Sequence, residues 1–352
     1  MHTKYRVSRY RLCWSSVVLL GLSLAGLLLW PSLRAGDFPV LQPHAEAQVS
    51  PPSLPRPDHI VIVFEENKDY QHIIGSESAP YINSLASQGV LFTQFYAEHH
   101  LSQPNYLEFF AGDNLGVTTD ACPPTTEQCP PSAPQPAFSA PNLAASLLNH
   151  GLTFLGYAED LPAHALTCCE GNYARKHCPW MDFTFQDTNG TWVHGVDYSK
   201  DVGAFPHDAA GFANLPTVAL VIPNLIHDMH SLPATAPRVT LETHTIPEEV
   251  RNGDRWLQSH LDAYAQWAKT HNSLLIVTWD EDSNQGECTA PCATQPPHNH
   301  IATLVVGAMV PANVKSNQPY THHNLLRTIL DMYGLPAFGK SQSASPITDV
   351  WK

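Results

Sequence analysis

Five short apolar runs recur along the chain: 59–64 (HIVIVF), 152–157 (LTFLGY), 217–222 (TVALVI), 274–279 (LLIVTW) and 301–306 (IATLVV). They are near-continuous in Val, Ile and Leu, which suits strands covered on both faces, as in a parallel sheet. Helical patterns lie between them. Residues 79–88 end at Gly89, Pro141 opens 141–150 and Gly151 closes it. Across about 247–270, Val250, Leu257, Leu261, Tyr264 and Ala268 recur at helical spacing, so one stripe faces a core. Strands alternating with helices predict an α/β fold, doubly wound or three-layered, around a mostly parallel central sheet. Two Pro-rich stretches, 113–140 and 283–299, interrupt the pattern and read as loop insertions, each with a cysteine pair.

The N-terminus is of another kind. Lys4, Arg6, Arg9 and Arg11 precede an uncharged apolar run over 13–30, which together read as a signal peptide or signal anchor within 1–35. A Pro-rich linker (36–57), the body (58–340) and a short tail (341–352) follow. Cleavage and retention are both open, and both place the body outside the cytoplasm: secreted, periplasmic or on the cell surface. Seven cysteines lie beyond Cys13. The spacing favours Cys122–Cys129 and Cys288–Cys292 as local disulfides, with Cys178 joined to Cys168 or Cys169. The formal charge of −14, with no basic run past the N-terminus, argues against nucleic acid or an anionic membrane surface as partner. Membrane contact is expected only through 13–30, if that segment is retained.

Polar residues follow three of the apolar runs. The first leads into Glu65-Glu66-Asn67, the third into Asn224 and Asp228-Met229-His230, and the fourth into Asp280-Glu281-Asp282. In open α/β sheets ligands bind beyond the carboxyl ends of strands. One acidic cluster alone reads as a solvated loop. Three on one rim repel one another unless a divalent cation sits among them, its identity and number left open. Within HHLSQPNYLEFFAG (99–112), Ser102 and Pro104 mark a helix start and Gly112 its end. Ser102 either caps that helix or serves as a nucleophile at its positive end. No G-x-S-x-G elbow and no Gly-rich phosphate loop occurs.

Eight ordered segments carry a resemblance: EENKDY (65–70), HLSQPNY (100–106), ARKHCPW (174–180), IPNLIHDMH (222–230), GDRWL (253–257), TWDED (278–282), NHI (299–301) and YTHHNLLRTILDMYGLP (320–336). Over about 58–340 the chain resembles the bacterial phosphoesterase family of acid phosphatases and phosphatidylcholine-type phospholipases C, within the alkaline phosphatase superfamily. The resemblance implies a three-layer alkaline-phosphatase-like sandwich with Ser102 as a metal-bound nucleophile. It implies Glu66 and Asn67 as metal and phosphate contacts, and Asp280 and Glu281 as metal ligands. Asp228 and His230 belong at a second metal position or at the leaving group, and His322 is a ligand or phosphate contact. His177 matches a Lys-His-Asn-Pro segment in which Cys178 here replaces Asn. His100, His177 or His230 would protonate the leaving oxygen, and Asn67, Asn105 and Asn224 would contact substrate. The reaction implied is hydrolysis of phosphate monoesters through phosphoserine, on a phosphorylated small molecule or a phospholipid head group. The alternatives are a phospholipase C or other phosphodiesterase on the same scaffold, and, in another class, a non-catalytic metal- or phosphate-binding surface module.

Overall fold

The computed structural model describes residues 54–352 apart from 128, 130–135, 165, 233–244 and 284–298, and these lie in one compact unit. The expected signal over 1–35, most of the linker and the Cys288–Cys292 pair lie outside the described residues. No described helix is long and apolar enough to cross a membrane.

All five apolar runs are strands. In chain order the central sheet contains β1 (His59–Glu65), β2 (Val90–Tyr96), β3 (Phe154–Ala158), β4 (Ser199–Asp201), β5 (Val218–Ile222), β6 (Ser273–Trp279), β7 (His300–Gly307), β8 (Val314–Ser316) and β9 (Tyr320–Thr321). Their order across the sheet is β8-β2-β7-β6-β1-β5-β3-β4, with β9 also on β2. Every pairing is parallel except the two made by β7, which runs antiparallel between β6 and β2. The sheet is therefore mostly parallel, as its buried apolar strands require.

Among the described residues, five helices of six or more residues flank it: α1 (Pro80–Gln88), α2 (Ser102–Ala111), α3 (Leu143–Leu148), α4 (Thr245–Ala268) and α5 (His322–Tyr333). One layer pairs α1 with α4 and the other pairs α2 with α5. Phe64 of β1 faces the second layer, where its ring centroid lies 5.2 Å from Tyr106, 5.0 Å from Phe109 and 5.6 Å from His322. Side chains alternate along a strand, so Glu65 points to the α4 side and Glu66 returns to the α2 side. The stripe read along α4 is buried as expected, and each of its leucines contributes on the order of 2 kcal/mol on leaving water. Gly89 ends α1 for a different reason from the one its position suggests. Its φ is −145°, not left-handed, and a Cβ there would overlap the Val305 carbonyl of β7.

Two cysteine expectations are overturned. Cys122 joins Cys168 and Cys129 joins Cys169, while Cys178 is a buried free thiol. Neighbouring cysteines do not pair because the 113–140 insertion folds back onto the segment that opens at Cys168. The two bridges close 46- and 40-residue separations, each removing roughly 3–4 kcal/mol of unfolded-chain entropy. Residues 341–352 do not hang free. Ile347 and Val350 are buried, and Asp349 accepts hydrogen bonds from Ser316 and Tyr320.

A buried acid–imidazole cluster locks α2 to α5. Glu98 receives His322 Nδ1 at 2.8 Å, and His322 Nε2 meets the Trp279 carbonyl oxygen at 2.9 Å. Glu108 Oε1 meets His99 Nε2 at 2.7 Å and Lys340 Nζ at 2.5 Å, while its Oε2 meets His323 Nε2 at 2.7 Å. Burial opposes ionisation of both acids, but the imidazoles and Lys340 outweigh it. Glu98 is held at about 2 and Glu108 also lies well below the usual carboxylate range. A carboxylate depressed on folding stabilises the fold above its unfolded pKa and loses that effect as pH falls through its folded value. For Glu98 the effect is on the order of 3 kcal/mol at neutral pH, fading from 4.5 toward 2. Glu98→Gln is therefore expected to lower unfolding free energy most above about pH 5 and very little near pH 2. Denaturant titrations of both proteins across that range read this directly; a pH-independent deficit would mean the charge is not what holds the helices.

Candidate active site

The carboxyl ends of β1, β5 and β6 deliver their acids to one buried cluster. Ser102, the first residue of α2, points its hydroxyl into that cluster. Its Oγ donates to Glu66 Oε2 at 2.8 Å and lies 3.4 Å from Glu281 Oε1. The residue preceding the helix is Leu101, with φ at 87° and no side-chain cap, so Ser102 does not spend its oxygen on capping. Three non-glycine residues with positive φ border the cluster: Asn67 at 49°, Leu101 at 87° and Met229 at 75°. Such conformations cost of order 1 kcal/mol each and persist where surrounding structure enforces them. Leu101 is held by its N–H donating to Glu281 Oε2 at 2.9 Å. Lys68 Nζ donates to the Met229 carbonyl at 2.7 Å and so fixes the turn that presents Asp228.

Glu66 is the centre of the arrangement. Tyr106 Oη donates to its Oε1 at 2.5 Å, and His177 Nε2 lies 3.2 Å from the same atom. The other nitrogen of His177 is 3.4 Å from Asp228 Oδ2. Glu66, His177 and Asp228 each offer a ligand atom, and those atoms lie within 4.8 Å of one another. Asn67 ties in Asp280 by donating its backbone N–H to Asp280 Oδ1 at 3.1 Å.

The electrostatics are unfavourable for a cluster left by itself. Burial, reinforced by Asp280, pushes the Glu66 carboxyl well above its ordinary value. Burial and Glu281 do the same to Asp280, and burial and Glu66 to Asp228. Burial, Lys176 and His230 hold His177 well below the usual imidazole range, and burial, Lys176 and Lys68 take His230 down to about 4. Both rings are thus neutral near pH 7, the form that ligates metals. Asn67 Oδ1, Asp228 Oδ2, Asp280 Oδ2 and His177 Nε2 are buried without a hydrogen-bond partner. Buried polar atoms left open are uncommon in a stable fold, and this donor set of oxygens plus one imidazole fits a divalent cation.

Other expected site residues fall elsewhere. His100 braces the site by meeting Glu281 Oε2 at 2.8 Å. His230 lies beside His177, with ring centroids 6.5 Å apart, and its Nδ1 meets Ser231 Oγ at 2.9 Å. His322 has both ring nitrogens committed to Glu98 and Trp279, which leaves neither for a metal or a phosphate. Asn105 spends its amide on the turn before Ser102, accepting from His99 N at 2.8 Å and donating to His99 O at 2.8 Å. Asn224 is used up as well: its Nδ2 donates to Asp160 Oδ2 beyond β3, and its Oδ1 accepts from Ile226 N and His227 N in its own loop. Neither asparagine is left to face substrate. Two residues escaped the sequence reading. Tyr106 sits one helical turn beyond Ser102, a spacing of four that puts both on one face. Lys176 pairs with Asp120 at 2.7 Å, and although burial opposes its charge, the carboxylates of Glu66 and Asp120 hold its pKa above the ordinary lysine value.

A family model described as the Phosphoesterase family matches residues 76–336. The chain belongs to that family. A phosphatidylinositol-3-phosphatase of Mycobacterium tuberculosis is 41% identical to it over 300 residues, spanning 85% of this chain and 84% of that protein. An acid phosphatase of Aspergillus fumigatus is 26% identical over 82% of this chain, which spans 57% of that protein. A solved structure from Vibrio parahaemolyticus, of a protein in the alkaline phosphatase superfamily, superposes with a TM-score of 0.51 at 15% identity, covering 84% of this chain and 72% of that one. That likeness establishes the fold. This member of the Phosphoesterase family is a phosphoric ester hydrolase with the alkaline-phosphatase-type α/β architecture expected from its sequence. Glu66 and Asn67 lie ahead of the matched range and are tied to the family's core through Ser102 and Asp280.

Proposed function

We propose that the chain hydrolyses phosphate monoesters by way of a phosphoserine at Ser102, with a divalent cation held among Glu66, His177, Asp228 and Asp280. The observation that carries this reading is the Ser102 hydroxyl, 1% exposed, hydrogen-bonded to Glu66 inside a cluster of open buried ligand atoms. Such a cation lowers the pKa of a serine hydroxyl and takes up charge developing on phosphoryl oxygens.

The remaining work belongs to the chain's own side chains. Glu66 accepts the Ser102 hydrogen bond at Oε2, and Tyr106 orients it from the other oxygen. At the start of α2 the Leu101 N–H is taken by Glu281, the Gln103 N–H by Asp120, and Pro104 has none, so what the helix offers a bound phosphate is the positive end of its dipole at Ser102. Asn67 Oδ1 and the buried carboxylates are acceptors and would face the cation rather than the phosphoryl oxygens. Glu281 is fixed by Leu101 N–H and His100, which keeps its second oxygen facing Ser102. Attack by Ser102 transfers the phosphoryl group and releases the alcohol; water then frees phosphate and restores the hydroxyl. The names of the relatives support the monoester side of this reading, and the disulfides support an oxidising compartment.

The test is turnover of p-nitrophenyl phosphate against bis-p-nitrophenyl phosphate. Steady turnover of the monoester, with the diester slower by about a hundred-fold or more, is the expected result. Turnover of the diester alone would make the chain a phosphodiesterase.

A further inference from the structure

Beside the catalytic cluster lies a cavity of about 300 Å³ that the reaction just described does not use. Its wall is mostly apolar. The disulfides Cys122–Cys168 and Cys129–Cys169 line it together with Tyr173 and Leu225. Lys176, Asp120 and His230 supply its polar part.

These three residues connect the cavity to the chemistry. Asp120 Oδ1 accepts the backbone N–H of Gln103, the residue after the nucleophile, at 3.1 Å. Its other oxygen meets Lys176 Nζ at 2.7 Å. Lys176 immediately precedes His177, whose ring touches both Glu66 and Asp228. His230 lies beside the same imidazole. The cavity thus adjoins the His177 side of the cluster. The charge of Lys176 is matched within the wall by Asp120, so the cavity offers no surplus cation to a second phosphate.

We infer that this disulfide-walled cavity is the leaving-group subsite and that it takes an uncharged, largely apolar alcohol moiety such as an aromatic ring. This rests on the phosphomonoesterase reading above and adds to it a substrate class. A small apolar pocket with few polar groups selects by burial of apolar area, and sulfur and phenol surfaces suit a flat ring. The two bridges act as its frame, because they join the 113–140 insertion to the segment bearing Lys176 and His177.

The experiment compares benzyl phosphate with glycerol phosphate, whose leaving alcohols differ little in acidity but greatly in polarity. Wild type should show kcat/KM at least about ten-fold higher for benzyl phosphate, the gain expected from burying most of a ring. Leu225→Asp, which sets a carboxylate in the half-buried wall, should cut that ratio by about ten-fold or more. Equal kcat/KM for both esters in wild type overturns the inference, as does a Leu225→Asp effect of the same size on both. Turnover of neither ester, with Ser102→Ala no different, would instead remove the phosphomonoesterase reading itself. The wild-type comparison stands even if the variant fails to fold.

Discussion

Ser102→Ala is expected to lower kcat for every phosphate ester by about a thousand-fold or more while leaving a folded protein. The change removes one oxygen from a site that is 1% exposed and placed at the first turn of α2. Its structural cost is one hydrogen bond to Glu66, on the order of 1 kcal/mol, and Tyr106 continues to hold that carboxylate. The helix start does not depend on the hydroxyl, since Ser102 is not its cap. Activity and stability should therefore separate: unfolding temperature nearly that of wild type, turnover close to background. A variant retaining a tenth of wild-type kcat would mean that water attacks phosphorus directly and that the serine only positions.

Removing metal is expected to have an effect of similar size on activity and, unlike Ser102→Ala, to lower stability as well. Glu66, Asp228 and Asp280 are all pushed above their ordinary values, by burial first and then by a neighbouring carboxylate: Asp280 for Glu66, Glu66 for Asp228 and Glu281 for Asp280. A carboxyl raised on folding favours the fold while protonated, at and below its unfolded pKa. That contribution is lost as pH rises through the folded value. Near neutral pH the metal-free cluster is thus a source of strain. A divalent cation at a thousand times its Kd would return about 4 kcal/mol. Exhaustive chelation should abolish turnover and lower the unfolding temperature, and one added divalent metal should restore both. Asp280→Asn removes a charge from the cluster, so the chelated variant should unfold at a higher temperature than chelated wild type while staying inactive. Full activity after metal analysis shows none bound would refute this part of the account.

The sequence revealed what depends on local pattern. The apolar runs at 59–64 and 274–279 could only be covered strands, and their ends placed Glu66 and Asp280 on one rim. What it missed depends on partners far along the chain. Strand β2 is half polar at Thr93 and Gln94, so its period is blurred, and only its pairing with β7 and β8 makes it a strand. His322 looked like a ligand because it precedes a helix in a familiar segment, yet Glu98, 224 residues away, claims it. Asn105 and Asn224 are polar residues near the rim whose amides serve the backbone and, for Asn224, the Asp160 carboxylate, a use of asparagine that spacing cannot distinguish from substrate contact. Cys122 and Cys129 suggested a local bridge by proximity, but the fold carries each to the adjacent pair Cys168 and Cys169. Tyr106 was within reach of a helical-face argument from Ser102.

The most direct measurement is acid quenching of the enzyme during turnover of p-nitrophenyl phosphate, followed by mass spectrometry of its peptides. Phosphate found on the peptide holding Ser102, and missing from Ser102→Ala and from chelated enzyme, is the predicted result. A quenched, fully active enzyme that carries phosphate on some other residue would contradict it.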